Sequence, residues 1–362
     1  MNNFDEYLRQ GEPNKAEKAK VWKTAIGLQQ VDGLKPSEYL IETARQNIEG
    51  DITIEEVKQR IDTYYQQLPS QTDEDRTEEA DKVSARVAEI LGEQTFTFSP
   101  AEYLSIHRRL FQSIYKFAGK IRDYNITKQE WVLNGETVLY GSAESLKATL
   151  EYDFEQEKQF DYKGLSSQET IEHIARFIAY LWQIHVFGEG NTRTTAIFLI
   201  KYLRKLGFKE VNNNLFAEHS WYFRNALVRA NYEDLSKGIH KTEKYLIRFL
   251  LNLLLQENYP LKNREMHILY VAENTNDNPK RKSSEKKEQS SQNEVVRKSG
   301  QKRWSEILEL IKENPRITRK ELTEKLGINP SAIQKHIKKL KTTGTIERVG
   351  GDKGGHWKII EK

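Results

Sequence analysis

Residues Ile171 to Gly207 read IEHIARFIAYLWQIHVFGEGNTRTTAIFLIKYLRKLG. Ile174, Phe177, Ile178, Leu181 and Trp182 recur at helical spacing and form one apolar stripe. The segment Phe187-Gly188-Glu189-Gly190-Asn191 does not continue such a helix, so the first helix is expected to stop near His185. Thr192 or Thr194 is expected to cap a second helix through Ala196, Ile197, Ile200 and Leu203, closed by Gly207. Two buried helices joined by a short polar turn predict a helical bundle.

The turn concentrates chemistry. A turn feeding a helix N-terminus presents free backbone N–H groups and makes an anion site. Gly188 and Gly190 would let the backbone approach a phosphate closely. Arg193, in the first turn, can bind phosphate oxygens. Glu189 can hold Mg²⁺, which prefers carboxylate, water and phosphate oxygens. His185 can take a proton at neutral pH. Each residue alone also reads as an ordinary cap or turn. Together they suit phosphoryl or nucleotidyl transfer. No GxxxxGK[ST] is present, so the chain is not a P-loop enzyme.

His185 to Arg193, HVFGEGNTR, resembles the signature HxFx[DE]GNxR of the Fic-domain family. The resemblance extends over about Phe98 to Leu255 and includes Gly119-Lys120-Ile121-Arg122. It implies a helical bundle with one β-hairpin flap. It also implies transfer of AMP from ATP to a Ser, Thr or Tyr hydroxyl of a target protein. By position, His185 would be the general base and Glu189 would hold Mg²⁺. Phe187 would pack into the core, while Gly190, Asn191 and the Thr192 backbone would form the anion hole. Arg193 would bind the nucleotide phosphates. Two positions depart from the family pattern GNGRxxR. Thr192 replaces a glycine, and Ala196 replaces the arginine that steers the γ-phosphate. A phosphotransferase that uses ATP in reversed orientation therefore stays open.

Outside this segment, Ile126 to Tyr140 has two β-rich runs around Asn134-Gly135, the pattern of a hairpin. By the resemblance this is the flap, which would hold a target segment by strand addition, with Lys128 and Trp131 as further candidates. Upstream, Pro36 to Ile48 and Thr53 to Tyr65 read as helices, the second with Ile54, Val57, Ile61 and Tyr65 on one face. Ile48-Glu49-Gly50 resembles the inhibitory helix of the same family, [ST]xxxE[GN], and the region resembles its fused antitoxin partners. Arg45 stands where Ser or Thr is expected. With Ala196 in place, an inhibitory Glu49 would have to meet Arg193 or another cation.

Glu273 to Arg303 is rich in Ser, Asn, Gln, Lys and Glu without apolar period, and reads as a solvated linker. Trp304 to Ile360 recovers periodicity: three helices, with Thr318 capping the second, and strands at Thr345–Val349 and Trp357–Ile360. That order resembles a bacterial winged helix-turn-helix. The resemblance places the third helix in a major groove, with Ser331 and Gln334 reaching bases and Lys335, Lys338 and Lys339 on phosphate.

Length and composition fit this layout. The 362 residues exceed one ordinary domain. The hydrophobic fraction of 37% supplies real cores. Cysteine is absent, which excludes disulfides, thiol catalysis, iron–sulfur clusters and cysteine zinc sites. A net charge of +4 is too balanced for a histone-like binder. The N-terminus shows no basic segment followed by an apolar one, and Tyr245 to Leu255 is too short to span a bilayer. The expectation is a cytoplasmic protein with no membrane partner and an open oligomeric state.

The expected architecture is mainly α: a regulatory segment at 1–75, a Fic-like catalytic domain at 76–270, a flexible linker at 271–303 and a winged helix at 304–362. The expected function is an autoinhibited, Mg²⁺-dependent AMP transferase using ATP. The alternative is a DNA-binding transcriptional regulator with a silent Fic body.

Overall fold

The computed structural model describes residues 4–67, 76–208 and 214–270, and in the C-terminal unit 307–312, 314–318, 321–322, 325, 337, 340–341, 345–349 and 356–360. The chain divides into two compact units, Met1–Glu273 and Asn274–Lys362.

The first unit is helical. Its elements are α1 (Asp5–Gln10), α2 (Pro13–Gly27), α3 (Glu38–Glu49), α4 (Ile54–Gln67), α5 (Thr77–Gly92), α6 (Pro100–Phe111), α7 (Leu146–Gln159), α8 (Ser167–Ile184), α9 (Asn191–Lys205), α10 (Asn214–Asn231) and α11 (Lys244–Leu255). Local chemistry sets several starts. Ser37, Ser99 and Ser166 cap α3, α6 and α8, and Ser166 with Glu169 forms a reciprocal capping box. Thr53 and Glu56 make the same reciprocal bonds at the start of α4. The expected helices at Pro36–Ile48 and Thr53–Tyr65 are therefore present within one or two residues.

α9 is the axis of this unit. Every residue from Asn191 to Leu203 is buried. Even its cations turn inward: Lys201 donates to Ile90 O and Glu93 O, and Arg204 to Leu91 O. They satisfy carbonyls at the C-terminal end of α5, where backbone acceptors have no helical partner. The N-terminal helices do not stand apart from this core. Trp22, Leu40, Ile48, Val57 and Ile61 are buried in the same hydrophobic cluster as Phe187 and Phe198. α2 and α10 cross at Gly27, where a Cβ would lie 2.2 Å from Ala217 Cα.

The segment 126–140 has no regular strand. Asn134 and Gly135 both take positive φ (55° and 85°), as an Asn-Gly turn requires. A 3₁₀ turn, Trp131–Leu133, widens the loop that precedes them, and Glu130 N–H donates to Glu136 O to close it. The hairpin is thus a closed loop with extended arms.

In the C-terminal unit, Ile307, Ile311, Ile317, Leu322, Ile337, Leu340, Ile346 and Trp357 form a separate core. β1 (Ile346–Val349) and β2 (His356–Ile359) pair antiparallel, with Arg348 opposite Trp357. Thr318 and Glu321 form the expected helix start. Ser331, Gln334, Lys335, Lys338 and Lys339, and the linker at 271–303, lie outside the described residues. No helix among the described residues is long and apolar enough to cross a membrane.

Candidate active site

α8 ends at Ile184, and His185 takes the left-handed conformation (φ 52°, ψ 58°) at its C-cap. That conformation is uncommon for a residue with a Cβ. Arg122 holds it: its Nε donates to His185 O at 2.7 Å, its Nη2 to Gly141 O, and its backbone N–H to Val186 O. The imidazole is fixed as well. Nδ1 lies 3.2 Å from Trp182 O, an acceptor, so Nδ1 carries the hydrogen and Nε2 keeps its lone pair. Tyr140 packs on the ring at 4.3 Å and Trp182 meets it edge-on at 5.0 Å. Burial pushes the His185 pKa well below the usual histidine value. Positive Lys128, with Arg224 and Arg122, pushes the same way against the Trp182 carbonyl. The histidine is neutral, with the Nε2 lone pair unprotonated.

His185 faces a cavity of about 440 Å³ that Glu189, Gly190, Asn191 and Thr192 also line. That volume lies in the range small ligands fill, about 300–1,000 Å³. α9 begins at Asn191 with Gly190 as its cap, so its first backbone N–H groups face this space. The expected threonine caps are corrected here. Thr192 lies within the first turn, needs no positive φ, and accepts from Trp182 Nε1 at 3.0 Å. Thr194 donates back to Gly190 O. Asn191 braces the loop, bonding both the N–H and the carbonyl of Phe187.

The glycines serve packing first. A Cβ on Gly190 (φ 77°) would fall 2.4 Å from the buried Phe111 ring, and one on Gly188 2.5 Å from Tyr124 Oη. At Gly190 the buried ring and the positive φ exclude a side chain; at Gly188 the exposed Tyr124 side chain would have to move.

Arg193 is the largest correction. It does not face the cavity; it is fully buried. Its guanidinium lies over Phe111 at 4.7 Å, and Nη1 donates to Gln29 Oε1 and Nη2 to Glu79 Oε1. Asp32 pairs with Nε at 2.8 Å without hydrogen-bond alignment. Burial would raise the Glu79 carboxyl; Arg193, with Tyr115 and Arg76, outweighs it and leaves Glu79 below the usual range. Glu49 is the second correction. It ends α3, accepts from Tyr7 Oη and Lys15 Nζ at 2.6 Å each, and makes no contact with Arg193. Position 193 was already met by carboxylates from nearer elements, and Ala196 is buried inside α9.

Glu189 is half exposed, and Lys128 Nζ sits 3.0 Å from its Oε1. A cation therefore already finds this carboxylate. No trio of His, Asp and Glu able to hold a metal ion gathers among the described residues. Glu189 fits Mg²⁺ that takes its remaining ligands from water and phosphate.

Several residues joined to the site gave no local signal. Glu130 is buried, accepts from Arg224 Nη2 at both oxygens at 2.9 Å, and accepts from Tyr140 Oη. His107, Arg76, Asp32, Glu79 and Arg224 belong to no motif in their own segments. Only their tertiary neighbours mark them.

Residues 97–203 match the model of the Fic/DOC family, and residues 305–347 match that of winged helix-turn-helix DNA-binding domains. The chain carries a Fic/DOC domain. Two curated relatives share its region. Protein adenylyltransferase VbhT of Bartonella schoenbuchensis is 26% identical over 182 residues, 45% of this chain and 36% of that protein. The "Probable protein adenylyltransferase y4lH" of Sinorhizobium fredii is 29% identical over 174 residues, 47% of this chain and 82% of that protein. The match thus spans little more than a third of VbhT. Among solved structures, a Fic family protein of Desulfovibrio desulfuricans G20 aligns with a TM-score of 0.46 at 10% identity, over 98% of this chain and 91% of the other. The N-terminal FIC domain of Bep8 from Bartonella sp. 1-1C aligns at 0.35 and 16%, over 56% and 82%. Within the matched segment, the end of α8 and the start of α9 line the cavity. The domain draws the partners of Arg193 from residues upstream of 97 as well.

Proposed function

We propose that the Fic/DOC domain transfers AMP from ATP to a hydroxyl of a target protein. The observation that carries this is His185: neutral, with Nε2 unprotonated, and facing one cavity with Glu189 and the N-terminus of α9. The target hydroxyl oxygen attacks the α-phosphorus while its proton passes to Nε2. The bond from the α-phosphorus to the bridging oxygen breaks, and pyrophosphate leaves. The α9 amides face the charge that develops on the phosphoryl oxygens. Mg²⁺, held through Glu189, would supply neutralisation of phosphate charge.

The test uses ATP labelled at the α- or the γ-phosphate, with Mg²⁺ and a cell lysate as target source. The expected result is label on protein from the α position alone, reduced roughly 10²–10⁴-fold in His185→Ala. Label from the γ position alone would replace this reading with a phosphotransferase that binds ATP reversed. No label from either would sink both.

A second reading, DNA binding, is favoured by the winged-helix match at 305–347. Charge reversal at Lys335 and Lys338 should then weaken retention on duplex DNA. Unchanged retention would reject contact through the third helix.

A further inference from the structure

A nucleotide triphosphate needs cations, and neither of the two arginine positions of the motif can supply one. Arg193 has no exposed surface and is committed to Glu79, Asp32 and Gln29. Residue 196 is a buried alanine.

We infer that Arg76 and Arg224 are the nucleotide-phosphate ligands of this cavity. Both line it together with His185 and the start of α9. The inference rests on the nucleotide-transfer reading and names the residues that would hold its substrate.

Arg224 rises from α10, a helix the signature does not include. Its guanidinium is braced by a buried carboxylate. Nη2 bonds both carboxylate oxygens of Glu130, and one Nη1 hydrogen goes to Val31 O. These bonds leave the Nε–H and the second Nη1–H for a ligand. A planar guanidinium with one edge fixed loses little further freedom when its other edge meets a phosphate.

Arg76, just before α5, is braced likewise. Its Nε and Nη2 reach Glu79, and Nη2 also lies 3.1 Å from Tyr115 Oη. Its side chain remains 42% exposed, so its unbraced edge is reachable from solvent. The cavity holds one more cation, Lys128, which pairs with Glu189 at 3.0 Å. Its two acids are met in turn, Glu189 by Lys128 and Asp32 by Arg193. An incoming polyphosphate therefore finds two arginines with donors to spare and no uncompensated carboxylate beside them.

The test is calorimetric titration of the full chain with ATP, ADP and adenosine in excess Mg²⁺. Wild type is compared with Arg76→Gln, Arg224→Gln, the double variant and Arg224→Lys, each checked by circular dichroism melting. The expected result is loss of ATP affinity on the order of tenfold for each Gln variant, the size of one charge-assisted hydrogen bond. Adenosine affinity should not move, and Arg224→Lys, which keeps charge without the fork, should fall between. ATP binding by the double variant as tight as by wild type would overturn the assignment. So would an equal loss for ATP and adenosine, which would mark a collapsed cavity. Wild type that binds none of the three probes would instead remove the nucleotide reading itself.

Discussion

His107 lies flat on Phe187, their ring centroids 3.6 Å apart and their planes within 10°. The same imidazole accepts from Gly119 N–H at Nδ1 and donates from Nε2 to Glu189 O. Both nitrogens are thereby assigned, and the ring is neutral. α6 thus clasps the motif loop through a second histidine whose two ring nitrogens are both bonded. Burial pushes its pKa down to about 4, with Arg193 adding to the shift and the Glu189 carbonyl opposing it.

This histidine makes stability depend on pH. Its pKa is depressed on folding, so the unfolded chain binds the proton first as pH falls. The contribution is complete above pH 6.5 and is lost progressively down to about pH 4, reaching on the order of 3 kcal/mol. His185 adds a loss of the same sign. Urea midpoints at pH 7, 5.5 and 4.5 should fall steeply for wild type and less steeply for His107→Gln. Parallel curves would show that His107 does not titrate in this window.

Arg193→Met should destabilise the first unit by about 3–5 kcal/mol, because Glu79 and Asp32 lose a buried counter-charge. A shifted urea midpoint measures this. A change below about 1 kcal/mol, the size of an exposed pair, would mean that the arginine is not the anchor described.

Gly190→Ala should cost about 2–4 kcal/mol, combining a left-handed backbone with collision against Phe111. If the packing account is right, Phe111→Ala should partly rescue the melting temperature of Gly190→Ala. Additive losses in the double variant would refute it.

Lys128→Met removes a partly exposed ion pair and should change stability by less than about 1 kcal/mol. It also removes the cation that competes for Glu189. Mn²⁺ should then bind the protein–ADP complex more tightly, read by electron paramagnetic resonance of free Mn²⁺, and Glu189→Gln should erase the gain. Weaker Mn²⁺ binding in Lys128→Met would contradict the competition.

The motif loop was legible because its chemistry is contiguous. His185 to Arg193 is one nine-residue stretch, and its flanking helices carry a plain apolar period. The winged helix, its Thr318 start and both strands were legible for similar local reasons. Misreadings arose where a local signal met a tertiary partner. Asn134-Gly135 turned as its sequence asks, but the Trp131–Leu133 turn kept the arms from a ladder. Thr192 resembled a cap because hydroxyls favour that place, and the Trp182 indole claimed it instead. Arg193 looked like an open phosphate ligand because nothing near it in sequence shows Gln29, Asp32 and Glu79 folding over it. The same distance hid Arg224 and Glu130, which lie 94 residues apart.

The contacts of Arg193 also bear on how this Fic/DOC domain can be moved between proteins. A segment cut out at 97–203 would carry the motif arginine away from Gln29, Asp32 and Glu79, exposing a core that residues 4–67 now cover. Such an excised piece would enter a new host with an unpaired arginine and an uncovered apolar surface. The transplantable unit is the whole of Met1–Glu273, and any fusion, swap or recombination that respects only the boundaries of the signature would deliver a motif without its scaffold.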